Sequence, residues 1–380
     1  MTREEMESGK KRKKKKYYDY SLLFLILFLS CFGLVMIYST SSYNAAKYYG
    51  DAMKYLKRQA LFLVMGIPVM LFVSKINYHF YIKNFPLFRV KPINILYFLC
   101  LALQAVVLFS GSEAGGSQRW IEIGDIRFQP SEVTKICVVL FCSFMVQAAP
   151  RRLDNVKGFL RVVFYTLPLI GLVVVENFST ALIICAIMFV ICFVASRKKG
   201  YFIVFGILAA VAGGILIFGV SYRSDRIDAW LNVETHPKGF QTLQSLYAIA
   251  SGGLFGKGLG QSMQKLGFIP EAHNDMIFSI ICEELGLFGA ISVIMLFILL
   301  LWRIFSIAIS AQDLFGSLIA TGVFTQIAVQ VLINIAVVTN AIPNTGIPLP
   351  FISYGGTSLL VLLAEMGIVL GVSNQIEYER

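Results

Sequence analysis

Apolar runs of about twenty residues recur along this chain, and they constrain it more than any other feature. A helix rising about 1.5 Å per residue needs ~20 apolar residues to cross the hydrocarbon of a bilayer. Ten segments qualify: about 20–40, 56–74, 92–110, 131–149, 159–176, 178–196, 201–220, 276–302, 314–338 and 355–373. The second is short and carries Pro68, which makes it the weakest of the ten. Only 14% of the residues are charged, against roughly 25% in soluble domains. Inside lipid every backbone group must bond within its own segment, so the segments are helices. The expectation is an all-α integral membrane protein of about ten transmembrane helices. A basic tail, 1–19, precedes one polytopic domain, 20–380, with a single large loop at 221–275.

Lys and Arg near segment ends set the orientation. The head MTREEMESGKKRKKKK holds eight of them. The short loops with Lys75, Lys83, Arg89 and Lys91, with Arg151, Arg152 and Lys157, and with Arg197, Lys198 and Lys199 are also basic. Ten alternating helices put all of these on one side. Both termini are then cytoplasmic, and the loops 41–55, 111–130, 221–275 and 339–354 lie outside the cell membrane. The apolar run after the head is long and lacks a small-residue cleavage site, so it reads as a retained first helix. The head itself is a solvated tail drawn to anionic membrane lipids. No folded basic module accompanies it, and nucleic acid is not an expected partner.

The seven cysteines all lie inside apolar segments without a CxxC or a Cys/His cluster, so neither a metal site nor a disulfide framework is expected. No period of 20–50 residues repeats. The cluster GGLFGKGLG lacks the spacing and the strand-then-helix context of a nucleotide fingerprint.

Four places break the apolar pattern. In 111–135, Arg119 and Trp120 follow the third helix, and Trp120 alone reads as an interfacial aromatic anchor. Glu132 and Lys135, spaced i,i+3, are either a plain intrahelical pair or the lining of a polar cavity. Glu176 and Asn177 read as a tight outer turn with no chemistry. In the long loop, Arg223 and Arg226 are also spaced i,i+3, with Lys257 and Lys265 after them. Guanidinium groups suit phosphate oxygens, while ordinary snorkelling explains any one of them as well. Finally, AIPNTGIPLPFISYGGTSLL carries three prolines and three glycines that forbid a regular helix. It is an outer loop or the re-entrant wall of a cavity, and its Ile347, Leu349 and Phe351 favour the wall. Ser353 lies in that stretch.

Three stretches, QRWIEIGDIRFQPSEVTK, KLGFIPEAHNDMIFSIICEELG and IPNTGIPLPFISYGGTSLL, resemble signatures of the SEDS family (shape, elongation, division and sporulation). The likeness runs over essentially the whole chain. YDYSLL…GLVMIYSTSS and INIAVVTN look closer to the FtsW and SpoVE branch than to RodA. The resemblance implies a peptidoglycan glycosyltransferase that polymerises lipid II at the outer face of the cytoplasmic membrane. Its implied partner is a class B penicillin-binding protein acting as transpeptidase. The family's proposed catalytic aspartate falls on Asp275, its RWI tryptophan on Trp120, and its QPSE…K acid and base on Glu132 and Lys135. ENFSTA stands where relatives often have a QPDLGTA-like run, so no role carries over to Glu176 or Asn177.

On this reading a sugar hydroxyl attacks an anomeric carbon whose leaving group is lipid pyrophosphate. Asp275, at the mouth of the eighth segment, would take the hydroxyl proton. From residues alone Asp275 is more simply an N-cap of that helix. Glu271 and His273 are secondary candidates that orient Asp275 or a cation; the sequence names no cofactor, and a divalent cation is compatible with it. Glu283 and Glu284, two to three turns deeper, read as helix-packing or partner-facing groups. Substrate-binding candidates are Arg119, Trp120, Glu132, Lys135, Arg223, Arg226, Lys265, Glu271, His273 and Ser353. Two other functions fit the same composition: a lipid II flippase, and a non-catalytic scaffold for the transpeptidase.

Overall fold

Asp19 starts the helical bundle. Its carboxylate accepts the Leu22 N–H (2.9 Å) and caps α1, Tyr20–Tyr49. The computed structural model describes residues 15–84, 90–114, 117–124, 126–208 and 221–378. After α1 come α2 (Lys54–Lys75), α3 (Pro92–Ser110), α4 (Pro130–Ala148), α5 (Val156–Glu176) and α6 (Phe178–Ala195). A helix α7 begins at 200 and is described to 208. Then follow α8 (Ser221–Leu231), α9 (Phe240–Gly252), α10 (Ile277–Ser310), α11 (Leu314–Val338) and α12 (Thr357–Ser373).

Among the described residues, α1–α6, α10 and α11 are long and apolar enough to cross a membrane, and α12 is a shorter apolar helix. Nine of the ten expected segments thus fall on helices, and the described part of the seventh, 201–208, is helical. Positions 209–220 of the seventh segment, and 1–14 of the basic tail, lie outside the described residues. Pro68 sits inside α2 without ending it. Pro92 and Pro130 open α3 and α4, where a missing N–H costs nothing.

The differences from expectation lie in the outer connections. The loop expected at 41–55 is mostly helix, because α1 runs on to Tyr49. The stretch 111–130 folds as an antiparallel meander of β2 (Ser112–Ala114), β3 (Ser117–Ile123) and β4 (Ile126–Phe128), with Ile121 opposite Phe128. The Thr357 hydroxyl donates to the Arg127 carbonyl (2.8 Å) and ties the meander to the start of α12. At the other end of the bundle, β1 (Lys15–Tyr17) pairs with β5 (Ile376–Tyr378). The large loop is no open excursion: it contains α8 and α9, and α9 packs along α10.

The segment 341–356 is a re-entrant wall. Leu349, Phe351 and Ile352 are buried. A Cβ on Gly33 would come within 2.6 Å of the Phe351 carbonyl oxygen, so the glycine lets this backbone reach the middle of α1. Irregular backbone survives at membrane depth only when protein bonds its polar groups. Gln59 Oε1 accepts from Gly355 N (3.2 Å) and Gly356 N (2.9 Å), and Ser353 Oγ accepts from Leu349 N (2.8 Å). Asn334 Nδ2 donates to the carbonyls of Asp275 (2.7 Å) and Ile347 (2.9 Å), fastening the wall to the start of α10.

Candidate active site

Asp275 lies one residue outside the α10 cap. The cap position is Met276, which has no side chain able to bond the first turn. The capping role open to Asp275 from sequence is therefore not the one it plays. Its half-buried carboxylate instead borders a cavity of about 460 Å³. The cavity is also lined by Arg119 from β3, Arg226 and Trp230 from α8, and by Lys238, Asn344 and Gly346. Two hydrogen bonds set these walls. Arg226 Nη1 donates to the Asn344 carbonyl (3.2 Å), and Trp230 Nε1 donates to the Asn340 carbonyl (3.0 Å). Three cations and one carboxylate thus share one chamber, an arrangement that suits an anionic ligand.

Burial pushes the Asp275 carboxyl up to about 6; the Glu271 charge adds to the rise, and Arg226 and the N–H groups of Asp275 and Met276 oppose it. Such a group is ionised at neutral pH yet holds a proton more readily than an ordinary aspartate, which suits general-base work.

A second, smaller cavity of about 40 Å³ is lined by Glu132, Lys135, Ser353 and Tyr354 among others. Lys135 Nζ lies 3.0 Å from Glu132 Oε2, and its side chain is 2% exposed. The pair neutralises itself and also borders this small pocket, whose other walls, Leu349, Pro350, Phe351 and Leu362 among them, are largely apolar. Glu365 on α12, hydrogen-bonded to Gln326 Nε2 (2.7 Å), feels the Lys135 charge from the interior side. The re-entrant wall separates the chambers, with Asn344–Gly346 facing the larger and Pro348–Gly355 the smaller.

Other candidates are placed elsewhere. His273 packs its ring against Tyr55 (centroids 4.4 Å apart) and Tyr354 (5.4 Å). Burial pulls its imidazole down to about 4, so it is neutral at pH 7. Glu271 is exposed, takes a left-handed φ of 49°, and accepts from Asn274 Nδ2 (2.7 Å). Trp120 is half-buried on β3 opposite Ser112. Arg223 shares α8 with Arg226, and its side chain lies outside those described.

Lys265, a substrate-binding candidate from sequence, is placed elsewhere: its ammonium bonds Glu284 (2.8 Å) and the Ser39 hydroxyl (3.1 Å), and it lines neither cavity. Glu283 and Glu284 are likewise not partner-facing. Both are buried, and Glu283 pairs with Lys257 (2.7 Å). Glu176 is more than a turn residue. With the Gln104 amide oriented to satisfy both its groups, Nε2 donates to both Glu176 oxygens (2.9 and 3.0 Å), and the Arg119 charge acts on the same carboxylate. Asn177 caps α6 through Thr180 N (3.1 Å). Among the described residues no three His, Cys, Asp or Glu side chains gather as a metal site.

Trp230 and Asn344 were invisible as site residues in the sequence. Lys238 carried one signal, a cation in the same loop as Arg226.

Fold and cavity define an integral membrane protein that can hold an anionic head group beside a carboxylate at one end of the bundle. Residues 20–378 match the family described as cell cycle protein, FtsW/RodA/SpoVE. A "Probable peptidoglycan glycosyltransferase FtsW" of Geobacter sp. (strain M18) is 36% identical over 366 residues, 94% of this chain and 97% of that one. Stage V sporulation protein E of Bacillus subtilis (strain 168) is 37% identical over 373 residues, 96% and 99% of the two chains. A solved structure described as "Structural coordination of polymerization and crosslinking by a peptidoglycan synthase complex" superposes with TM-score 0.78 at 27% identity, covering 94% of this chain and 97% of that one. The crystal structure of Thermus thermophilus rod shape determining protein RodA gives TM-score 0.69 at 25% identity, covering 94% and 97%. The chain belongs to the FtsW/RodA/SpoVE family.

Proposed function

We propose that this chain is a peptidoglycan glycosyltransferase that polymerises lipid II at the outer face of the cell membrane, beside a class B penicillin-binding protein. The observation that carries this reading is Asp275 facing Arg119 and Arg226 in one chamber while serving no cap. Arg119, Arg226 and Lys238 hold the pyrophosphate of the donor. Asp275 takes the proton from the acceptor sugar hydroxyl as its oxygen bonds the anomeric carbon and the bond to pyrophosphate breaks. The charge leaving with the pyrophosphate is stabilised by the same guanidinium groups. Glu132, Lys135 and Ser353 border the neighbouring chamber and support the acceptor side of the wall. Glycan formed from lipid II by the detergent-purified protein with its penicillin-binding protein bound tests the reading. A flippase or a scaffold makes no polymer under those conditions.

The base must be ionised, so kcat/KM should rise with pH through about 6 and level above it. Below about pH 5 the rate should fall roughly tenfold per pH unit. A flat profile from pH 5 to 8 would remove Asp275 from the role.

The reading needs the Asp275 end of the bundle outside and both termini cytoplasmic. The basic short loops support that orientation. A membrane-impermeant maleimide applied to intact cells should label Lys238→Cys and spare Lys198→Cys, both being exposed positions. The opposite pattern would reverse the topology.

A further inference from the structure

The turn-rich segment 253–268, between α9 and the Asp275 approach, presents Leu254, Phe255, Leu259, Met263, Leu266 and Phe268 outward while Lys265 is buried and Lys257, itself partly exposed, folds its ammonium back onto a buried acid. Lys257 and Lys265 both end on the buried acids Glu283 and Glu284 of α10. Both cations are neutralised by acids buried beneath the segment while six large apolar side chains face out, the pattern of a surface facing lipid rather than water.

Two helices give its level. Asp19 and Arg303 pair at one end of α1 and α10 (2.7 Å), and Ser39 donates to Glu284 near the other end (2.7 Å). Ser39 follows Asp19 by 20 residues, and Arg303 follows Glu284 by 19. At about 1.5 Å per residue both measure roughly 30 Å, the thickness of the hydrocarbon layer. The Glu283/Glu284 cluster therefore lies at the hydrocarbon edge on the cavity side, and 253–268 wraps it there.

The backbone is prepared for that position. Gly286 breaks α10 with φ 67°, which frees carbonyls and N–H groups that the segment takes up. Lys257 N donates to Glu283 O (2.9 Å) and Gly258 N to Glu284 O (3.0 Å), while Leu287 N donates to Gly253 O (2.9 Å) and Phe288 N to Leu254 O (3.2 Å). The Glu283 carboxylate also accepts from Met263 N (3.1 Å). Outside, Phe255 stacks on Phe288 (5.2 Å), the top of an exposed stripe on α10 that continues as Ile291, Met295, Ile298 and Trp302. Helical spacing makes that stripe lipid-facing, and the segment extends it without a gap.

We propose that 253–268 is a membrane-seated collar, its apolar side chains inserted at the acyl–headgroup boundary of the cavity-side leaflet and its lipid contact independent of the reaction proposed above. Interfacial burial of this kind is driven by apolar area and needs no partner protein. The collar also sets the height of Asp275, which follows seven residues after its end, above the lipid surface.

The test is photocrosslinking from p-benzoylphenylalanine placed at Phe255, which is 78% exposed and bears no structural contact beyond Phe288 among its ring contacts. The full-length protein is reconstituted in phosphatidylglycerol–phosphatidylethanolamine vesicles and adducts are read by mass spectrometry. Phospholipid adducts should form several-fold more at 255 than at the exposed control Glu234. Equal, low lipid adduction at both sites overturns the collar. Lipid adduction that is absent in vesicles and replaced by a protein adduct in cells also overturns it, and makes the face a protein-docking surface. Folding of the labelled protein is checked by its monodisperse elution before irradiation.

Discussion

Asp275→Asn should abolish glycan polymerisation while the protein inserts, folds and holds its partner as before. Asn matches Asp in size, and the structure removes the one structural role that an amide could keep, since α10 is capped at Met276. Burial disfavours the Asp275 charge in the folded state, raising the carboxyl to about 6 from an ordinary 3.8. Above that range the ionised group opposes folding, so Asn should leave thermal stability at pH 7 equal or higher. Loss of the base should cost at least roughly 10²-fold in rate. Polymer yield and melting temperature measured on the same preparation decide the matter. Polymer near wild type would place the base elsewhere, with Glu271 next to test. A fall in stability parallel to activity would make Asp275 a folding residue.

Lys265→Met should destabilise the protein by about 3–5 kcal/mol, the usual penalty for leaving one member of a buried ion pair without its partner. Glu284 is fully buried, and after the substitution it would keep only the Ser39 hydroxyl and a long contact from Ser262 N (3.4 Å). The double variant Lys265→Met/Glu284→Gln should recover much of the loss, because no uncompensated charge then remains. Thermal unfolding in detergent of the four proteins of this cycle measures it. Simple additivity would show that the pair does not hold the 253–268 segment to α10.

Much of this architecture was legible beforehand because a bilayer is a one-dimensional filter. Whether a segment spans depends on its own length and apolarity, so the starts and ends of most helices followed from local sequence. Asp275 was legible as a position, a carboxylate at the mouth of an apolar run, and so was the irregular wall at 341–356. The wall's burial needed Gly33, some three hundred residues away, to admit its backbone. The strands of 112–128 were missed because their residues also suit a loop, and only their mutual pairing makes them a sheet.

The candidates divide for the same reason. Sequence grouped eleven candidates, Asp275 and ten others, by proximity to helix ends and could not tell which of them meet. The tertiary structure sends Arg119, Arg226 and Asp275 to one chamber, and Glu132, Lys135 and Ser353 to another. It commits Lys265 to Glu284 and His273 to an aromatic cluster. By itself, then, the sequence determined a polytopic helical membrane protein with acids, bases and cations collected at the helix ends, since solvation by lipid or water is settled residue by residue. Which of those charges face a ligand and which neutralise one another was decided only by the fold. An ion pair such as Lys265–Glu284, closed against Ser39 from 226 positions away, exists only once three distant segments have met out of water.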